Sequence, residues 1–208
     1  GMATTITAAA LLGPTLYLAQ VGDSRAYLVR DGAAHQLTKD QSLVQRLVDA
    51  GELTPEQAET SARRNIILQA LGADATVKVD VTRQPLRRGD LLLLCSDGLS
   101  GQVRAAEIAE LAAAAPDLDA FCAALVDRAN ATGGPDNITV VAARFDGDAL
   151  AGPAGGDDAV GRHTVALPAP DGQETPAASA APAPYRPIVV DLGPARGGGG
   201  AVIRGAAD

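Results

Sequence analysis

The stretch "LLLLCSDGLSG" begins with five apolar residues, Leu91–Cys95, and within two positions reaches the carboxylate of Asp97 and the glycine behind it. A chain that carries such a run has to bury it as a strand. A buried strand that stops on a charge has two readings. Asp97-Gly98 is a turn, or the strand is a rigid arm that holds an oxygen ligand where a metal ion can reach it.

At 208 residues the chain is long enough for one good-sized domain, or a domain with a tail. The hydrophobic fraction is 47% and the aromatic fraction only 2%, so the core is aliphatic. A formal charge of −8 argues against a nucleic-acid or anionic-membrane surface, since those partners reward clustered Lys and Arg. Cys95 and Cys122 sit inside apolar runs and read as buried, reduced thiols. No apolar run approaches the roughly 20 residues that span a bilayer, and nothing resembles a signal peptide, so the expectation is a cytoplasmic protein.

"TTITAAALL" and "TLYLAQVGD" read as strands joined at Gly13-Pro14, and Asp31-Gly32 in "AYLVRDGAAHQL" marks a hairpin. The period then changes. Leu43, Val44, Leu47 and Val48 share a helical face, with Asp40 or Ser42 to cap it and Gly51 to end it. Thr54, Pro55 and Gln57 have the spacing of a capping box. "TVKVDVTRQPL" alternates and predicts a strand with Val77, Val79 and Val81 on one face. "RRGD" turns into the strand at 91–96, two helices follow in "AAEIAELAAAA" and "LDAFCAALVDRANA", and "NITVVAARF" closes with a strand. Runs of strands with segregated helices define an α+β sandwich of antiparallel sheets over residues 1–146. Residues 147–208, rich in Gly, Ala and Pro, predict a flexible tail. Within it "YRPIVVDLG" is a small apolar island, either a docking segment or a chance cluster.

Asp97 has counterparts. Asp23 ends the strand in "YLAQVGDSR", and Asp136 precedes one in "GGPDNITVV". Each neighbours Gly, Ser or Asn, as Ser96 and Gly98 flank Asp97 and Asn137 follows Asp136; such residues permit tight turns and supply supporting hydrogen bonds. If the strands are neighbours, the three carboxylates share one rim. Three close carboxylates repel one another, and a divalent cation resolves the conflict. An all-oxygen set selects hard Mg2+ or Mn2+ over zinc. His35 and His163 read as surface groups.

The motifs "VGDSRAYLVRDG", "LLLLCSDGLSG" and "GGPDNITVVAARF", in this order, resemble those of the metal-dependent protein phosphatases, the type 2C serine/threonine family in its bacterial branch. The stretch "TKDQSLVQRLVDAGELTPEQAETSARRNIILQALG" is similar to that family's flap. The resemblance implies a four-layer α-β-β-α sandwich, incomplete at the N-terminus, with two Mg2+ or Mn2+ ions held by Asp97 and Asp136. It implies a third, looser ion at Asp23 with Asp97 shared. Asn137 is implied as a supporting group, and Arg63 and Arg64 in the flap as groups that meet a phosphoprotein or as a solvated basic pair. The implied partners are phosphorylated proteins and a serine/threonine kinase.

Gln41 stands where bacterial relatives tend to carry His. The family's early motifs, an Arg for phosphate and an Asp-Gly-x-Gly-Gly turn, have no counterpart in residues 1–22, which hold no Asp, Glu, Lys, Arg or His. The start fits two accounts, Met2 as initiator behind an added glycine or Gly1-Met2 as internal to a longer chain. The expectation is that this polypeptide alone has little phosphatase activity, and that uncovered sheet edges favour a homodimer. The competing expectation is a pseudophosphatase that binds or regulates a partner.

Overall fold

The computed structural model describes residues 2–73, 76–152 and 159–166, with the backbone of 189–191. The chain opens with four strands, β1 (Ile6–Leu12), β2 (Thr15–Val21), β3 (Arg25–Arg30) and β4 (Ala33–Gln36). Two short helices follow, α1 (Leu43–Asp49) and α2 (Pro55–Thr60), then β5 (Asp80–Pro85) and β6 (Leu91–Cys95). A one-turn helix α3 (Asp97–Ser100) leads to α4 (Ala105–Ala114), α5 (Leu118–Ala131) and β7 (Val140–Asp146). Two three-residue strands complete the set, β8 (His163–Val165) and β9 (Val189–Asp191).

The strands form two antiparallel sheets, one in the order β1-β2-β5-β8 and the other β4-β3-β6-β7-β9. Alternation in β2 points Leu16 and Leu18 at the second sheet, where Ala26, Leu28, Leu92, Ala143 and Phe145 complete a dry layer. The opposite face of that sheet, with Tyr27, Leu91, Leu93 and Cys95, packs on Ile108 of α4 and on Leu118, Phe121 and Leu125 of α5. β6 is therefore covered on both sides, which is why its apolar residues are continuous rather than alternating. Among the described residues no helix covers the outer face of the four-stranded sheet. Its edge strand β1 leaves Ile6 45% and Leu12 66% exposed.

Local signals place the helices. Ser42, rather than Asp40, caps α1 by accepting the Gln45 N–H. At α2 the Thr54 hydroxyl accepts the Gln57 N–H, and the Gln57 side chain accepts the Thr54 N–H at 2.8 Å. The "RRGD" turn between β5 and β6 is built around an ion pair. Arg30 donates from Nε and Nη2 to the two carboxylate oxygens of Asp90, at 2.8 and 2.6 Å, and both side chains are almost fully buried. Asp90 also accepts the Arg87 N–H at 2.7 Å, and Arg30 reaches the carbonyl of Pro85 at 2.8 Å.

The structure departs from the sequence reading in three places. β5 begins at Asp80, not near Val77, because its partner β2 ends at Val21 and the pairing opens at Gln20–Asp80. Asp97 opens the short helix α3 rather than a plain turn. Parts of the segment expected as a tail belong to the sheets: Leu150 is buried in the inter-sheet layer, β8 pairs with β5, and β9, from the apolar island, pairs with β7. Such strands add to a sheet edge through main-chain hydrogen bonds, so they need no apolar period to announce them. The remainder of that expectation lies outside the described residues.

Candidate metal centre

Cross-strand register fixes where the aspartates reach the surface. Arg25 of β3 pairs with Cys95 of β6, and Cys95 pairs with Val140 of β7. Asp23 lies two residues before that row on one strand, Asp97 two after it on the next, and Asp136 four before it on the third. Because the strands are antiparallel, all three leave by the same end of the sheet. Asp23 also follows directly on β2, so its turn carries the chain from one sheet to the other.

The Asp23 turn is held through its main chain. Gly22 adopts φ 111°, and a Cβ there would come within 2.3 Å of the Thr5 side chain, so only glycine fits. The Gly22 carbonyl accepts from the Gln41 N–H at 2.9 Å and from Gln20 Nε2 at 3.0 Å. Gln20 Nε2 also reaches the Ser24 carbonyl at 3.1 Å, where Thr7 Oγ1 donates at 3.0 Å. Gln20 itself is buried beneath the turn.

The segments that carry Asp97 and Asp136 are tied to each other through Ser96, Gly98 and the main chain of the 137–139 loop. The Ser96 hydroxyl donates to the Asn137 carbonyl at 3.1 Å and accepts the Thr139 N–H at 3.0 Å, stitching the end of β6 to the loop before β7. At Gly98 an added Cβ would lie 2.4 Å from the Asn137 carbonyl oxygen, so the glycine lets that loop rest on α3. The Asn137 main chain makes these contacts, and its N–H donates to Asp136 Oδ1 at 2.7 Å.

The electrostatics couple two of the three carboxylates. Burial first, and then the negative charges of Asp97 and Asp40, push the Asp23 carboxyl up to about 6, with a backbone N–H and Arg25 offsetting only part. Arg25 is committed elsewhere: its guanidinium donates from Nη2 to Asp40 at 2.7 Å and from Nε to both Asp40 oxygens, at 3.0 and 3.1 Å. Asp97 and Asp136 are exposed. Among the described residues no group of three or more His, Cys, Asp and Glu side chains is gathered closely enough to hold an ion. The three aspartates thus share a rim, Asp23 and Asp97 interact across it, and Asp136 spends one oxygen on its own turn. The donor chemistry is of the kind a hard divalent cation takes: two carboxylates, one of them buried against the charge of the other, with the Cys95 thiol turned away toward the helices.

Arg63 and Arg64 are exposed on the turn after α2, where the Arg64 N–H donates to the Ser61 carbonyl and the Ile66 N–H to that of Arg63. This loop is fastened toward the rim: the Ile66 carbonyl accepts the Leu43 N–H at 2.9 Å, and the Leu68 N–H donates to the Gln41 carbonyl at 2.7 Å. The sequence reading missed Gln20, Thr7 and the pairing of Arg25 with Asp40. For Gln20 a signal existed, a polar residue in third place on the inward face of β2 after Leu16 and Leu18.

A fold of two antiparallel sheets with helices packed on the outer face of one, and aspartates on one shared rim, defines a class. Residues 2–47 match the family model Protein phosphatase 2C, and residues 47–146 match Stage II sporulation protein E. The chain belongs to the protein phosphatase 2C family. It is 43% identical over 141 residues to the serine/threonine phosphatase stp of Listeria innocua, covering 68% of this chain and 56% of that protein. The solved serine/threonine phosphatase PstP/Ppp of Mycobacterium tuberculosis superposes with a TM-score of 0.67 at 44% identity, covering 71% of this chain and 62% of that one. The catalytic domain of PstP in complex with 2 manganese ions gives a TM-score of 0.61 at 44% identity, covering 68% and 58%. The chain thus spans a little over half the length of these relatives.

Proposed function

We propose that the chain carries part of the catalytic machinery of a phosphoserine/phosphothreonine protein phosphatase, with Asp23, Asp97 and Asp136 as the carboxylates that hold Mg2+ or Mn2+. The observation that carries this reading is the placement of Asp23, Asp97 and Asp136 at one end of the sheet, where the charges of Asp23 and Asp97 oppose each other. The manganese-containing relative supports it. When bound, divalent ions of this kind supply Lewis acidity and a water of lowered pKa for phosphomonoester hydrolysis. The chain's own residues do the positioning. Gly22 turns Asp23 inward, Ser96 ties the end of β6 to the 136–139 loop, and Gly98 lets that loop approach Asp97. Arg63 and Arg64 face solvent beside the rim as contacts for an acidic phosphoprotein. In a cell the activity opposes that of a serine/threonine kinase in the cytoplasm.

Calorimetry with Mn2+ on wild type and Asp97→Ala tests the site. The expected result is a loss of tenfold or more in affinity for the variant, on the order of 1.4 kcal/mol or above; equal affinities remove the ligand role. With two interacting carboxylates, this polypeptide alone hydrolyses p-nitrophenyl phosphate slowly in Mn2+, and robust turnover would overturn that part. One observation favours a second reading, a pseudophosphatase that binds partners: the absence of a three-carboxylate cluster among the described residues. Phosphoprotein binding without any Mn2+ affinity would select it.

A further inference from the structure

Gln41 touches three parts of the molecule at once. Its Oε1 accepts the Gly22 N–H at 2.8 Å, while its own N–H donates to the Gly22 carbonyl at 2.9 Å. Its Nε2 donates to Asp80 Oδ2 at 2.9 Å and to the Lys78 carbonyl at 3.1 Å, at the start of β5. Its carbonyl accepts the Leu68 N–H at 2.7 Å, in the loop that carries Arg63 and Arg64. The turn it grips cannot hold itself by side-chain packing, because Gly22 has no side chain and its φ of 111° leaves the peptide dependent on hydrogen bonds. A carboxamide offers an acceptor and a donor from one planar group, which suits an N–H on one side and a carboxylate on the other.

We infer that Gln41 is a positioning residue that fixes the Asp23 turn at the rim and joins it to the 61–71 loop, so that the placement of the loop and the cation affinity of the rim are coupled. Its effect on cation affinity rests on the phosphatase reading above; its grip on the turn does not. Removing the carboxamide orphans the Gly22 N–H and cuts the link to Asp80, which leaves the turn held only from its carbonyl side. The loop then loses a fixed anchor at the Gln41 carbonyl. Groups that orient a metal ligand without touching the ion typically change affinity by about 10- to 100-fold.

The test compares wild type, Gln41→Met, Gln41→Glu and the double variant Gln41→Glu/Asp80→Asn. In the double variant the donor and acceptor are exchanged across the same contact and the net charge is unchanged. Mn2+ affinity is measured by calorimetry, amide exchange at Gly22, Leu68 and Leu92–Leu94 by NMR, and folding by circular dichroism. Gln41→Met is expected to lower Mn2+ affinity about tenfold or more and to speed exchange at Gly22 and Leu68, with Leu92–Leu94 unchanged. The double variant is expected to restore both readouts toward wild type. A general structural role would instead lower protection in β6 along with the rest. Wild-type affinity and wild-type Gly22 exchange in Gln41→Met overturn the inference, as does a double variant no better than Gln41→Met. If Gln41→Met does not fold, Gln41→Glu against the double variant decides: faster Gly22 exchange in the single variant alone supports the clamp, and equal exchange removes it. If the wild type takes up no Mn2+, the phosphatase reading falls, and exchange at Gly22 and Leu68 decides the clamp by itself.

Discussion

Asp23 carries its charge at a cost, since it is buried and faces Asp97 and Asp40. Its folded-state pKa, about 6, stands above the ordinary 3.8. The folded protein therefore binds this proton more tightly than the unfolded chain. That contribution to stability is complete below pH 4 and is lost as pH rises through 6. Asp23→Asn removes it, so in EDTA the variant is expected to gain on wild type between pH 4 and pH 7 by on the order of 2 kcal/mol, measured by urea unfolding at both pH values. A constant difference across that range would show that the carboxyl is not strained. Gly98→Ala acts on the same rim through sterics: the methyl meets the Asn137 carbonyl, and a loss of about 1–3 kcal/mol with displaced amide resonances at residues 136–139 is expected. These aspartates were legible because each stands at a strand end beside turn-forming residues. Gln20 showed only as a polar residue on the inward face of β2, and neither its role nor that of Gln41 could be read, because the groups they hold are set by the β2–β3 crossing and by the start of β5, contacts of folding rather than of neighbouring sequence.

Among the elements, β6 and the α2 cap could be read directly, since a continuous apolar run and a Thr-Pro-x-Gln spacing each have one physical explanation. β5 could not be bounded from its valines. Alternation marks residues able to pair, and where pairing starts depends on the partner strand, which here turns away at Gly22. The short strand β8 left no pattern, and β9 showed only as the apolar island, with docking one of its two readings, because an added edge strand is specified by the sheet it joins. The β5–β6 turn carries the strongest element-scale prediction. Asp90→Ala leaves the Arg30 guanidinium buried without its carboxylate and strips the Arg87 N–H of its acceptor. A loss of about 3–5 kcal/mol is expected, read as a lower urea midpoint with an unchanged slope. A loss below 1 kcal/mol would mean that water reaches this pair.

For the molecule as a whole, the layering places the carboxylates beyond the strand ends, Asp23 and Asp136 in loops and Asp97 at the start of α3, while β3, β6 and β7 lie between two aliphatic layers. The parts that adjust at the rim, the 22–24 turn and the 136–139 loop, are thus separate from the parts that resist opening. The enclosure of β6 has a practical corollary in its last residue. Cys95 is 4% exposed and burial pushes its thiol up to about 12, whereas Cys122 on α5 is half-buried. A disulfide reagent at pH 8 is expected to titrate Cys122 first and to reach Cys95 only when the sandwich separates. The second thiol is then a built-in clock, two residues from Asp97, whose slowing by Mn2+ reports how firmly a cation at the rim locks the layers together.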